Sequence, residues 1–413
     1  MFDSVNRSTI HEPFDAAIKG RPRVLVLFGT RPEAIKLAPV IHELRRRSIQ
    51  TIVVSSSQHT LLLKPFLTSL KIDVDFDLAV MKQNQSPNDV FSRVAAKLDK
   101  ILDLEQPDLV LVQGDTTTAL AGAMAAFNRR IPVGHVEAGL RSGNMMSPFP
   151  EEMNRRLISQ VASFHFAATE ENRRNLLAEN VSDKKIFVTG NPVVDSLKQM
   201  LEHLNMGAAT EKLLVKTEGL KRILLTTHRR ESFGETMTEN LKTIRAFVEM
   251  HQDLCLLFPV HPNPNVRNIA NKLLGGCERI HLLEPLDYSD FLAIMKSAWL
   301  IVSDSGGVQE EAPSLGKPLL VLRENTERPE AISAGIAKLV GSDGSLGKVL
   351  EENYRDETWI ESVVEVRNPF GDGKAAARIV NVIEETAGGN ASVNERAHAD
   401  ETARSFTLAF PPE

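Results

Sequence analysis

Short runs of Val, Ile and Leu alternate with longer amphipathic stretches along most of the chain. The runs at 23–28, 51–55, 108–112, 132–136 and 164–168 are almost continuously apolar, as strands buried on both faces of a parallel sheet must be. Helical periodicity fills the intervals between them, so the pattern predicts an α/β, doubly wound sheet. The stretch after Asp115 is rich in small residues (Ala119, Ala121, Gly122, Ala123, Ala125, Ala126), which predicts a helix lying close against that sheet. A second series at 222–226, 254–259, 279–283, 299–303 and 318–322 predicts a second sheet of the same kind. The implied organisation is a flexible extension at 1–20, a first Rossmann-like domain at 21–200 and a second at 201–367. A helix at 368–388 is expected to cross back and brace the first domain, with a flexible, polar tail at 389–413. Ligands of open parallel sheets bind beyond the carboxyl ends of the strands, so two such sheets would enclose a substrate between their loops.

At 413 residues the chain has ample length for two buried cores. With 48 basic against 54 acidic side chains, a net charge of −6, no global field would gather a polyanion. Aromatic residues make up only 5%, too few for a base-stacking platform, and nucleic-acid binding is disfavoured. Cys255 and Cys277 form neither a disulfide framework nor a close-spaced metal knuckle, and a reducing compartment fits. No apolar run approaches the ~18 residues of a membrane-spanning helix, and no secretory signal is visible. These features lead to the expectation of a cytoplasmic protein without membrane partners.

Candidate chemistry sits in the loops at the strand ends. The first strand runs into Gly29-Thr30-Arg31-Pro32-Glu33, where Arg31 stands at a helix mouth and Lys36 one turn further. This reads either as an anion clamp or as a capped helix with a solvated arginine. Asp115 follows the third strand, where it could simply be a helix N-cap. Glu137 follows the fourth, with Arg141 beyond Gly139, and Glu151 opens a helix whose dipole favours negative charge. Each carboxylate has a bland explanation singly. Together, Asp115, Glu137 and Glu151 occupy successive junctions of one sheet and are expected to converge, and crowded carboxylates raise one another's pKa. In the second series, His228 precedes two arginines, and His261 begins a His-Pro-Asn-Pro turn. Neither has the spacing of a helix-borne metal pair. The loop Ser305-Gly306-Gly307 at a helix start exposes N–H groups to an anion such as a diphosphate, and Glu311, one turn on, could accept ribose hydroxyls. Tyr288 and Phe291 precede it, either as core rings or as a stack for a base. No GxGxxG or GxxxxGK[ST] motif is present, which counts against NAD and ATP.

The segments GTRPEAIKLAPV, QGDTTTAL, HVEAGLRSGN, SPFPEEMNRR, TGNPVVDSL, THRRESFG, PVHPNPNV and SDSGGVQEEAPSLGKP, in that order, closely resemble the non-hydrolysing UDP-N-acetylglucosamine 2-epimerases. The resemblance runs from about Arg23 to Ile383 and implies a GT-B architecture. It also implies interconversion of UDP-GlcNAc and UDP-ManNAc by anti elimination of UDP to a 2-acetamidoglucal and re-addition. By similarity, Asp115, Glu137 and Glu151 would be acid/base groups. His228, Arg31 and Ser305-Gly306-Gly307 would stabilise departing UDP, Glu311 would hold the ribose, and Arg31 with Phe291 would sandwich the uracil. No metal or redox cofactor is implied, and a homodimer serving cell-envelope polysaccharide synthesis is. Alternatives are a 2-epimerase of a modified UDP-sugar such as a UDP-diacetamido uronic acid, a GT-B glycosyltransferase, or a nucleotide-sugar sensor. In substrate-activated bacterial members a second UDP-GlcNAc packs through a Gln-His-x-Gln segment and an Arg-Gln pair. This chain has Gln58-His59-Thr60-Leu61 and Asn84-Gln85, so Gln85 is a binding candidate but weak or absent activation is expected.

Overall fold

The computed structural model describes residues 6–7, 21–57, 66–82, 85–227, 234–341 and 344–387. Two sheets organise the chain. The first contains β1 (Asn6–Arg7), β2 (Arg23–Phe28), β3 (Gln50–Ser55), β4 (Phe76–Asp77), β5 (Leu109–Gln113), β6 (Val133–Ala138), β7 (Phe164–Ala167) and β8 (Ile186–Val188). Their order is β1-β4-β3-β2-β5-β6-β7-β8, with β1 antiparallel at the edge and the rest parallel. The second contains β9 (Lys221–Thr226), β10 (Leu254–Pro259), β11 (Ile280–Leu283), β12 (Leu300–Ser303), β13 (Leu319–Val321) and β14 (Ala337–Leu339). It is wholly parallel, in the order β11-β10-β9-β12-β13-β14. The doubly wound α/β class and both series of apolar runs are therefore borne out.

The sequence pattern missed β1, β4, β8 and β14. These strands have two or three residues, too few to show a period, and all but β4 lie at sheet edges.

Apolar character explains the arrangement. Val24 to Phe28 are fully buried, because helices cover both faces of β2. The helix Thr117–Asn128 lies close to β2 and β5 as its small residues foretell: a Cβ on Gly122 would stand 2.2 Å from Leu27 Cδ2. The chain's last described helix, Ala375–Ala387, packs on the helices Arg31–Arg46 and Pro192–Glu202. Its start is capped by the Asp195 carboxylate, which accepts from Ala375 N (3.2 Å) and Ala376 N (3.0 Å). Arg47 also donates to Glu384 at 2.6 Å. These contacts join the carboxyl-terminal segment to the first sheet's helices.

Strand order reverses between β2 and β5 in one sheet and between β9 and β12 in the other. Loops diverge at such points and open a crevice beyond the strand ends. The turns carrying Arg31, Asp115 and Ser305 all leave those strands.

Candidate active site

At the first switch point, Thr30 and Glu33 form a capping box at the start of the helix Arg31–Arg46. One Glu33 oxygen accepts from Gly29 N (3.0 Å), Thr30 N (2.8 Å) and Thr30 Oγ1 (2.7 Å). The other accepts from Thr116 Oγ1 at 2.7 Å, tying the turn that carries Arg31 to the turn that carries Asp115.

Arg31 is half-buried, with its guanidinium over the Phe66 ring (4.6 Å) and 5.8 Å from the Tyr288 ring centroid. Tyr288 comes from the second sheet's helix Tyr288–Ser297 and donates its hydroxyl to Glu311 Oε1 at 2.7 Å. Burial pushes the Glu311 carboxyl up to about 7. Arg31, Tyr288 and Glu311 thus form one cluster. Phe291 lies one turn beyond Tyr288, partly buried against the core.

Glu137 occupies a strained position. It has φ +65°, a left-handed conformation rare outside glycine, where β6 slips register against β7 between Val136 and Ala138. The bulge re-aims its carboxylate into the seam between the sheets. Oε1 accepts from Lys36 Nζ (2.5 Å) and Asn191 Nδ2 (3.1 Å), Oε2 accepts from Gln113 Nε2, and Arg328 Nη2 stands 3.6 Å from Oε1. Lys36 also reaches Glu310 Oε2 of the second sheet at 2.9 Å. Surrounded by cations and donors despite its burial, Glu137 is held as a carboxylate, well below its ordinary pKa.

Asp115 contrasts with it. Its side chain retains 27% exposure and pairs with Arg155 Nη2 at 2.8 Å. Burial raises its pKa, with Arg155 opposing and Glu137 reinforcing the rise. Asn154 donates to the Asp115 carbonyl at 2.8 Å, so the helix Glu151–Val161 docks on the Asp115 turn. Glu151, the first residue of that helix, stands four residues before Arg155. The N-cap of the following helix is Thr116, so Asp115 is not needed for that task. Below this turn, His135 is fully buried beside the Gly114 carbonyl (2.8 Å), and burial drives its pKa down to about 4. Arg141 turns away to Glu179, at 2.8 and 2.5 Å.

In the second sheet, Ser305 is the N-cap of the helix Gly306–Glu311. A Cβ on Gly306 would meet Arg328 Nη1 at 2.6 Å, so only glycine lets that guanidinium lie against the helix start. Gln85 is engaged by Lys82 N (3.0 Å) and Arg93 Nη2 (2.7 Å) at the start of the helix Pro87–Glu105. His228 and Arg229 lie outside the described residues, as do 58–61 and Asn84.

The sequence model of the UDP-N-acetylglucosamine 2-epimerase family matches residues 42–384. This chain belongs to that family. It is 45% identical over 370 residues to the UDP-N-acetylglucosamine 2-epimerase of Escherichia coli strain K12, covering 87% of this chain and 98% of that protein. It is 45% identical over 360 residues to the Bacillus subtilis strain 168 enzyme of the same name, covering 87% and 94%. Among solved structures, the Neisseria meningitidis UDP-GlcNAc 2-epimerase bound to UDP-GlcNAc superposes with a TM-score of 0.84 at 42% identity, covering 88% of this chain and all of that one. The two facing sheets are the GT-B-like pair of this epimerase family.

Several side chains that knit the epimerase fold's seam escaped the sequence reading. Nothing in the sequence sets Glu310 apart between Gln309 and Glu311, and Gln113, Asn191, Phe66, Glu327 and Arg328 carry no local signal. Only the Thr30-x-x-Glu33 spacing announces its role in the sequence. No helix among the described residues is long and apolar enough to cross a membrane.

Proposed function

We propose that this chain interconverts UDP-GlcNAc and UDP-ManNAc. A base removes the C2 proton, the C–H electron pair becomes the C1–C2 double bond, and the C1–O bond breaks towards UDP. Protonation of the resulting 2-acetamidoglucal at C2 on the opposite face, with UDP returning to C1, completes the inversion. One observation supports the assignment of the base: the Asp115 side chain stays partly exposed beside Arg155, whereas Glu137 is buried and engaged by Lys36, Asn191 and Gln113. A general base works best when its pKa approaches the operating pH. Glu151, on the helix docked to Asp115, is the proposed opposing acid/base group.

Departing UDP would be met by Arg31, His228 and the Ser305-Gly306-Gly307 helix start, with Lys36 adding positive charge. Glu311 would receive the ribose, and Arg31 with Phe291 would flank the uracil. Tyr288, which already links Arg31 to Glu311, is proposed to order both. Closure of the cleft would keep water from the glucal. Family membership supports a cytoplasmic homodimer supplying ManNAc units for cell-envelope polysaccharide, which sedimentation and a gene deletion would test.

Incubation with UDP-GlcNAc alone in deuterated water tests the reading. Deuterium is expected at C2 of both sugars with no acceptor present. An absence of label and of UDP-ManNAc would refute it. Asp115→Asn should lower exchange by about 10²–10⁴-fold with UDP affinity nearly intact.

A further inference from the structure

We infer that Glu330 is a positioning residue for this reaction: with Arg328 it makes the short segment after β13 a two-point clamp that fixes the second sheet against the Glu137 end of the first. The segment grips the first sheet's side twice. Arg328 Nη2 stands 3.6 Å from Glu137 Oε1. Two residues on, Glu330 Oε1 accepts from Thr169 Oγ1 at 2.5 Å and from Asn172 Nδ2 at 3.3 Å. One contact alone would leave the two sheets free to pivot about it, whereas two contacts on one stiff segment fix an orientation as well as a distance. Pro329, between them, supplies stiffness, because its ring locks φ.

Thr169 and Asn172 stand at the start of the helix Glu170–Ala178. Thr169 is its N-cap, and its Oγ1 accepts from Asn172 N at 3.2 Å. A hydroxyl that accepts there has its one hydrogen left to give, and Glu330 takes it. A carboxylate suits the place, since a helix N-terminus favours negative charge. This first turn in turn holds the chain that follows Glu137. Gly139 has φ +89°, and a Cβ there would stand 2.2 Å from the Asn172 carbonyl oxygen. Asn175 Nδ2 donates to the Gly139 carbonyl at 3.0 Å. The clamp therefore reaches Glu137 by two routes, through Arg328 at its carboxylate and through Glu330 at the backbone two residues beyond. On its own side the segment is tied to the helix Gly306–Glu311. Thr326 Oγ1 donates to Gln309 Oε1 at 2.7 Å, and Arg328 Nε donates to Glu310 Oε1 at 2.6 Å. The helix start proposed to meet the diphosphate is thereby set against the sheet that carries Asp115.

The inference rests on the proposed epimerase reaction for its kinetic readout but not for its direct one. The direct readout is hydrogen exchange of the full chain, followed by mass spectrometry. In Glu330→Ala the amides of 170–173 and of 138–141 should exchange about tenfold faster than in the wild type, because opening that turn no longer breaks the bonds to Glu330. In the kinetic arm, Glu330→Ala should lower kcat with UDP-GlcNAc about tenfold or more, since the base and the departing UDP are held by different sheets and must stay aligned. UDP affinity by calorimetry should stay within about twofold, because Glu330 bonds to Thr169 and Asn172 and not to the groups proposed to hold UDP. Glu330→Gln, whose amide oxygen still accepts from Thr169, should recover most of kcat. A Glu330→Ala enzyme with wild-type kcat, even at a lower urea midpoint, would reduce the contact to a stabilising one and overturn the inference. Unaltered exchange in both segments would overturn it as well. If Glu330→Ala does not fold, Glu330→Met, which fills the space without a strong acceptor, takes its place under the same criteria. A wild type inert on UDP-GlcNAc would sink the proposed function and leave hydrogen exchange to judge the clamp, faster exchange supporting it and unaltered exchange refuting it.

Discussion

Replacing Lys36 with methionine isolates the electrostatics of the seam. The ammonium is almost fully buried and touches Glu137 and Glu310 at 2.5 and 2.9 Å. Loss of a hydrogen bond to a charged group costs about 1.5–3 kcal/mol, and Lys36→Met should be destabilised by that much near neutral pH. The cost should then grow with pH. In the unfolded chain both glutamates ionise near 4.5, whereas in the folded wild type burial raises Glu310 to about 7, so it gives up its proton at higher pH than in the unfolded chain. A raised folded pKa means that stability falls as pH rises from the unfolded value through the folded one, and is level beyond. Without Lys36 one of the attractions that let the second proton leave is gone, so the folded pKa rises further. The variant then continues to lose stability where the wild type has levelled off. One extra bound proton corresponds to about 1.4 kcal/mol per pH unit. Urea unfolding midpoints of both proteins, measured from neutral to mildly alkaline pH and converted with the measured slopes, give the difference directly. A deficit that stays flat over that range would refute the reasoning, because it would mean that Lys36 contributes packing and not charge.

Three further outcomes are expected. Gly122→Ala forces a methyl to within 2.2 Å of Leu27 Cδ2 on a fully buried strand, and should lower stability by about 1–3 kcal/mol in urea unfolding with little effect on nucleotide affinity. Tyr288→Phe removes the donor to Glu311 (2.7 Å) and the ring hydroxyl beside Arg31; calorimetry with UDP should show about a tenfold weaker affinity, consistent with about 1–1.5 kcal/mol. Initial rates with UDP-ManNAc should follow a hyperbola and be unmoved by trace UDP-GlcNAc, since Leu61 and Asn84 lack the amide and the charge expected for a second nucleotide sugar; a sigmoid that becomes hyperbolic would contradict this.

The sequence announced its two sheets through a simple constraint. Strands covered on both faces must be apolar throughout, and β2, β3, β5, β9, β10 and β12 are long enough to display it. The candidate site was legible where chemistry and local geometry coincide: Arg31 at a helix mouth, Asp115 after a strand, and Ser305-Gly306-Gly307 before a helix. It was less legible where one side chain's function depends on another far along the chain. Nothing around Glu310 distinguishes it from Glu311, yet one is bonded to Arg328 and the other to Tyr288. Similarly, Asp115 and Glu137 look alike as strand-end acids. Their environments separate them, because Asp115 stays partly open beside Arg155 while the bulge at Glu137 turns its carboxylate into a ring of donors.

Local residue type and spacing therefore sufficed for the fold class and the switch-point loops, and the likeness of whole segments to a known family for the membership of an epimerase family. Protonation, by contrast, was decided by tertiary structure alone. A carboxyl's pKa depends on burial and on which charges come within a few ångströms, and here those charges are contributed by residues 36, 137, 310 and 328. Only folding brings them together, and with them the distinction between a carboxylate that can take a proton and one that is already held.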